Sequence, residues 1–360
     1  MNIPEQEWKY KEWVEYIIKE KEKVFSSKKE NMLKVYYIHA DKRSTQKLLE
    51  PAKRFGEFYL ITLHYEYPST GSKISAEYWI HEKEPGLLML FTSSTREGYE
   101  KTLKNKLRTA FGLYHMWIKP ETFKIVRDDL IENKNCGILN FYGERKRNEY
   151  KVISYVKEHA NRKLYYRTDN KDDGIKRVKE LEYHLGLSVR SIEFVYENSR
   201  VQITTEGLFH LKKINQKAFE LMDHVIEKIR EEENQMRNIT QSITTEIVKD
   251  KNIENYKSMP GRIQFDEEQD KESTTELIAK LKSHFVFFEP KFVAIDPIHM
   301  ISDVIDRNKG TIFSIIAFKN SIILMPKYKV TFESFLEFYK EIVENIDESA
   351  KLLPLSEVCI

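Results

Sequence analysis

The chain has only two cysteines in 360 residues, Cys136 and Cys359. Two thiols cannot build a disulfide framework or a thiolate zinc site, so stability has to come from packing. Nothing in that count points to an oxidising compartment. Glycine is sparse too, at 12 residues, and the dinucleotide fingerprint is absent. Ser69-Thr70-Gly71-Ser72-Lys73 has P-loop composition without the leading glycine and reads as a hairpin turn. Neither an HExxH pair nor a nucleophile elbow occurs. Apolar runs such as 86–91 and 312–318 are far shorter than the roughly 20 residues of a membrane span. The opening MNIPEQEWKYKEWVEY lacks the basic-then-apolar order of a secretory signal. Charge of one sign is missing as well: 59 basic against 57 acidic residues leave a formal +2, so any nucleic-acid footprint must be local. The expectation is an intracellular, cytoplasmic protein with no membrane partner and no cofactor.

What is present is apolar and aromatic mass. Hydrophobic residues make up 41% of the chain, with 20 Tyr and 20 Phe, enough for more than one core. The organising stretch is 188–229, read as strand, tight turn at Glu197-Asn198-Ser199, strand, glycine-containing bend, and helix from Gln216. A similar ββα plan recurs at 311–346 around Lys319-Asn320-Ser321. Before the first unit come a helix over 8–24 and strands over 33–38, 58–63, 74–81 and 87–92, an order that fits an antiparallel meander. A helix over 94–116, capped by Ser94 or Thr95, and another over 121–132 follow. Next come a strand over 138–142, a helix over 149–159, a strand over 163–166 and a helix over 171–185. Residues 227–276 hold 13 acidic and 8 basic side chains with few large apolar ones, the composition of a connector. Beyond it the pattern predicts a strand over 285–295 broken at Pro290, then a helix over 296–307.

The fold class is therefore α+β, with an N-terminal antiparallel-sheet and helix body, an acidic connector and a small C-terminal ββα-containing domain. The expected boundaries are 1–143, a second α+β layer at 144–229 that can be continuous with the first, the connector at 230–275, and 276–360.

Candidate sites are few. On a helix over 296–307, Asp296, His299, Asp303 and Asp306 share one face and could hold a divalent ion, although Asp296-Pro297 is also an ordinary helix start. Glu289-Pro290-Lys291 has the carboxylate-x-lysine form of some metal nucleases, but its proline favours a charged pair at a strand bulge. Arg177 and His184 lie seven apart on one helix face, which permits an acid–base pair or simply a solvated face. The broadest signal is basic residues interleaved with aromatics. Arg145, Lys146, Arg147, Lys151, Lys157, Arg162, Lys163 and Arg167 stand among Tyr142, Tyr150, Tyr155, Tyr165 and Tyr166. With Lys101, Lys104 and Arg108 they form a candidate cationic track for phosphates and stacked bases.

No motif secures an enzyme. The expectation is a non-enzymatic component of an intracellular assembly that binds DNA, RNA or a protein subunit. Lys-, Ile-, Tyr- and Asn-rich usage suits an AT-rich microbial genome, and a host-defence setting is an expectation that no single residue carries. The rival readings are a metal-dependent nuclease or phosphoryl-transfer enzyme using Asp296, His299 and Asp303, and a purely structural scaffold.

Overall fold

The computed structural model describes residues 1–25, 32–145, 163–250, 253–266, 278–295, 298–327 and 330–355. The chain divides into two compact units. The first comprises Met1–Leu107 and Leu113–Arg230, the second Arg108–Gly112 and Glu231–Ile360. Both are helix-and-sheet structures with antiparallel sheets, so the α+β class holds.

The first unit is built on one sheet of eleven strands. They are β1 (Leu33–Ala40), β2 (Lys53–Phe55), β3 (Phe58–Glu66), β4 (Lys73–Glu84), β5 (Leu87–Thr92), β6 (Leu113–His115), β7 (Gly137–Arg145), β8 (Lys163–Arg167), β9 (Leu187–Tyr196), β10 (Ser199–Thr204) and β11 (Leu208–Lys213). Their order is β2-β3-β4-β5-β1-β11-β10-β9-β7-β8, with β6 also paired to β1. Of the meander expected over 33–92, β3, β4 and β5 pair in order, whereas β1 does not precede β3 but lies between β5 and β11 and joins the meander to β9–β10–β11. One face of this sheet is dry. Helices α1 (Tyr10–Lys19), α2 (Lys21–Val24), α6 (Pro120–Lys134), α7 (Lys171–Leu185) and the first half of α8 (Gln216–Ser242) send Trp13, Val24, Leu130, Val178 and Met222 into a common core with Val35, Phe91, Phe194 and Phe209. Trp13 stacks on Phe58 at 4.8 Å and tilts against Phe91 at 4.7 Å. Such aromatic pairs add directional energy to area burial.

The opposite face is covered over β1 and β4. Thr95 caps α4 (Arg96–Tyr99) by accepting from the Gly98 N–H, a π-helical turn (Glu100–Lys104) follows, and α5 (Asn105–Thr109) ends the run. Tyr99 stacks on Tyr36 of β1 at 4.3 Å, and Thr102 bonds Tyr78 of β4 at 3.0 Å. The single helix expected over 94–116 is therefore interrupted. Its apolar stripe is real, but Gly112 turns left-handed (φ 73°) and Leu113-Tyr114-His115 leaves as β6 to pair with β1. The short helix α3 (Lys42–Leu49), capped by Asp41, precedes β2.

The second unit carries a hairpin, β12 (Thr244–Asp250) and β13 (Ile253–Met259), and a six-stranded sheet. The sheet strands are β14 (Gly261–Gln264), β15 (Phe285–Ile295), β16 (Ile298–Asp306), β17 (Ile312–Phe318), β18 (Ser321–Pro326) and β19 (Lys351–Pro354), in the order β15-β16-β17-β18-β14-β19. Helix α9 (Phe332–Asn345) covers one face, with Phe313 edge-on to Phe335 at 5.2 Å and to Phe338 at 5.4 Å. Regular structure thus occupies 231–242, 244–250, 253–259 and 261–264, where the composition reads as a connector. Of the expected helix over 296–307, residues 298–306 are the strand β16. Its Ile and Val residues are β-branched, Met300, Ser302, Val304 and Asp306 alternate as buried positions, and the following turn returns the chain into β17.

The two turns that organise the sequence reading share their chemistry. Glu197 (φ 49°) and Lys319 (φ 51°) open two-residue turns between paired Tyr196 and Ser199 and paired Phe318 and Ser321. In each, the serine hydroxyl donates back to the aromatic residue's carbonyl, at 2.6 Å for Ser199 and 3.1 Å for Ser321. The strand β11 between the first turn and α8 is missing from the ββα reading, which treats that segment as a bend. The expected helix over 149–159 lies outside the described residues.

Close approach of α7 to β7 yields a test. A Cβ at Gly174 would sit 2.0 Å from the Ile138 carbonyl oxygen, whereas one at Gly71 (φ +66°) meets nothing within 4 Å. Gly174→Ala should cost about 2–3 kcal/mol by overpacking. Gly71→Ala should cost about 1 kcal/mol, through its left-handed backbone alone. Urea unfolding of the two full-length variants measures the difference.

Candidate nucleic-acid interface

Strands alternate their side chains, so burying Ile138, Phe141, Ile192, Phe194, Val201, Ile203, Phe209 and Leu211 on the inner face assigns their neighbours to the outer one. There the cross-strand pairing lines up a polar row: Lys34 opposite His210, His210 opposite Gln202, Gln202 opposite Glu193, Glu193 opposite Asn140, and Asn140 opposite Arg167. The row crosses six strands, from β1 to β8. Lys34 donates to the Ser94 carbonyl, so the row begins where the α4 segment starts to cover the sheet.

Glu193 is the hub. Its carboxylate is 1% exposed and accepts from Arg200 Nε at 2.8 Å and Nη2 at 2.7 Å, from Lys212 Nζ at 2.6 Å, and from Asn140 Nδ2. Burial by itself would raise the Glu193 pKa, but Lys212 and Arg200 outweigh it and hold the carboxyl below its ordinary range. Two cations on one carboxylate leave a local positive excess. His210 is the opposite case. Burial, reinforced by Lys34 and Lys212, depresses its pKa from 6.5 to about 4, so the ring is neutral at pH 7. Its Nε2 is sealed from solvent with no hydrogen-bond partner.

The next row is aromatic. Tyr142 of β7 and Tyr165 of β8 are register partners and stack at 4.7 Å with an interplanar angle of 24°. Tyr165 is 74% exposed. Lys163 Nζ lies 6.0 Å above the Tyr142 ring, and Tyr142 donates its hydroxyl to Glu144. Arg190 reaches Glu144 at 3.7 Å. Ser191 accepts from Gln202 at 2.7 Å. The Leu164 and Tyr166 side chains of β8 pack toward the core, which leaves Lys163, Tyr165 and Arg167 on the outer face. Arg167 makes no ion pair with any described residue.

The structure brings part of the expected track together. Lys163 and Arg167 meet Tyr142 and Tyr165 on one surface. Lys101 Nζ sits over Tyr65 and Tyr67 at 5.7 and 5.3 Å, at the end of β3. Lys104 is exposed on the π-helical turn, and Arg108 falls in the second unit. Arg145 ends β7 with its side chain outside the described residues, as are Lys146, Arg147, Lys151, Lys157, Arg162, Tyr150 and Tyr155.

The other candidates disperse. Arg177 pairs with Glu180 of its own helix at 3.2 Å, and exposed His184 stands edge-on to Tyr183. On β16, His299 and Asp303 lie on one side and Asp306 on the other, so the shared helical face does not exist. Asp296 is outside the described residues. Asp303 accepts from Lys327 at 2.7 Å and from Ser314, which hold its pKa low. Asp306 accepts from Ser334 and from the Asn308 and Lys309 N–H groups, closing the turn before β17. At Glu289-Pro290-Lys291 the register of β15 shifts between Phe288 and Lys291, and Glu289 adopts φ 44°, the bulge that the proline implies.

Glu193, Arg200, Lys212, Gln202, His210 and Asn140 are absent from the sequence-based candidates. The available signal was the alternation itself. Once β9, β10 and β11 are strands, the polar residues between apolar ones must share a face. No protein-family model, curated protein or solved structure matches the chain.

The titration of this face has a defined sign. With the folded His210 pKa near 4 and the ordinary value at 6.5, the unfolded chain binds the proton first. Stability should therefore fall as pH drops from 6.5 to about 4. Glu193, whose pKa is depressed, adds a loss in the same direction at lower pH. His210→Gln should flatten the curve between pH 6.5 and 4 in pH-dependent urea unfolding. Glu193→Ala, which leaves Arg200 and Lys212 without their shared acceptor, should cost about 3 kcal/mol, and adding Lys212→Met should recover part of it.

Proposed function

We propose that the polar outer face of β7–β11 binds single-stranded nucleic acid and that the protein acts as a non-enzymatic binding component. The observation that carries this reading is the Tyr142–Tyr165 stack, with Tyr165 74% exposed, flanked on the same strand by Lys163 and Arg167. An exposed ring offers a base a π-face of any sequence, and neighbouring cations follow the phosphates. The Glu193 cluster fixes the guanidinium of Arg200 and the ammonium of Lys212 in place, so their positive excess is presented without first being ordered. A single strand suits this face better than a duplex, because stacking on Tyr165 requires a base with one side uncovered.

Fluorescence anisotropy with short single-stranded DNA and RNA, at two salt concentrations, tests the reading. Wild-type binding should weaken with salt by about 0.7 log units per log unit of salt for each phosphate engaged, and the oligonucleotide should stay intact. Tyr165→Ala should weaken binding about tenfold at either salt concentration, through the loss of stacking. Arg167→Glu should weaken it and reduce the salt slope. Equal affinity in all three proteins would remove this face from any nucleic-acid role.

A further inference from the structure

The second unit holds a separate constellation that does not depend on the sheet-face reading. Among the described residues, one group of three metal-ligating side chains converges: His284, Glu337 and Glu341, whose ligand atoms all lie within 4.8 Å of one another. Glu337 and Glu341 are one helical turn apart on α9 and so face the same way. His284 is fixed by its backbone just before β15: its N–H donates to Leu281, and its carbonyl accepts from Arg307 at 2.9 Å. Three ligands therefore come from a helix and from a pinned turn, with little freedom left to organise.

Two further observations point to an ion. Glu341 is 7% exposed, and its Oε2 accepts from Asn345 Nδ2 at 2.8 Å, which turns Oε1 toward the imidazole. Oε1 then lies 2.7 Å from His284 Nδ1, a nitrogen shut off from solvent that pairs with this carboxylate when the ring is protonated. Once the ring proton is lost, the sealed nitrogen and the buried, oriented carboxylate oxygen face each other as two lone-pair donors, which a divalent cation satisfies in the proton's place. The Asn345 contact is the kind of supporting hydrogen bond that orients a ligating carboxylate. Lys340, 3.9 Å from Glu337, is a loose competitor for that carboxylate.

We propose that His284, Glu337 and Glu341 bind one divalent transition-metal ion, Zn2+ in preference to Mg2+. One imidazole nitrogen with two carboxylate oxygens suits zinc, whereas magnesium retains its waters and takes oxygen ligands. Ligand atoms around tetrahedral zinc stand about 3.3 Å apart, so the His284–Glu341 contact opens slightly and Glu337 swings inward. The fourth position is left for water.

Isothermal titration of metal-stripped full-length protein with ZnCl2, and separately with MgCl2, tests the site. The expected result is one Zn2+ per chain, bound at least tenfold more weakly by His284→Ala and by Glu337→Gln. Glu337 is only partly buried, so Glu337→Gln should retain the metal-free circular dichroism spectrum and melting temperature, which separates lost ligation from misfolding. Absence of stoichiometric Zn2+ binding in the wild type, unchanged affinity in Glu337→Gln, or Mg2+ bound as tightly as Zn2+ would each overturn the assignment.

Discussion

Burial of one face of a single sheet is the constraint on which the first unit depends. Helices from both ends of its sequence, α1 near the start and α8 near the end, drive Trp13 and Met222 into the same apolar layer as Phe91 and Phe209. Once that face is fixed, the pleat leaves no choice for the other. Lys34, His210, Gln202, Glu193, Asn140 and Arg167 are on the outer surface because their neighbours are in the core. The polar row is thus a product of register, and a slip by one residue in β9 or β10 would exchange the two layers.

The outer face is in turn divided by what covers it. Over β1, β4 and β5 the α4 segment supplies Tyr99 and Thr102 against Tyr36 and Tyr78. Over β7 to β11 the same side carries charged and hydrogen-bonding groups instead. Burying Glu193 is tolerable because three donors reach it; a carboxylate at 1% exposure without them would be protonated or expelled. The tyrosine stack at the β7–β8 edge completes a surface that is ordered by internal bonds.

Legibility of the sequence followed the physics of each element. The β3–β4–β5 meander, α7 and α9 were readable because alternation or helical spacing, caps and turn residues agreed, as with Asn170 and Gly186 bounding α7. Residues 298–306 were misread because Asp-Pro imitates a helix start, while the evidence for a strand lay in pairing with β15 and β17, residues distant in sequence or across a turn. The 94–116 segment was half legible: its stripe covers the sheet, but the break into β6 depends on a partner, β1, some 75 residues earlier. At the candidate site, Tyr142, Lys163, Tyr165 and Arg167 could be seen as a local basic-aromatic run. The Glu193 cluster could not be seen that way, because Asn140, Glu193, Arg200 and Lys212 meet only after β7, β9, β10 and β11 are placed side by side.

The bulge at Glu289-Pro290 has a consequence for the second unit in company with its own copies. β15 ends its sheet and carries Phe288 at 57%, Phe292 at 38% and Val293 at 63% exposure. An apolar edge strand of that kind is a template for adding another strand. Pro290 supplies no amide hydrogen, and the left-handed Glu289 puts a kink in the middle of the edge, so a straight run of donors and acceptors is never offered to a neighbour. The proline that spoils the nuclease motif, with the glutamate before it, therefore acts as a guard against self-association.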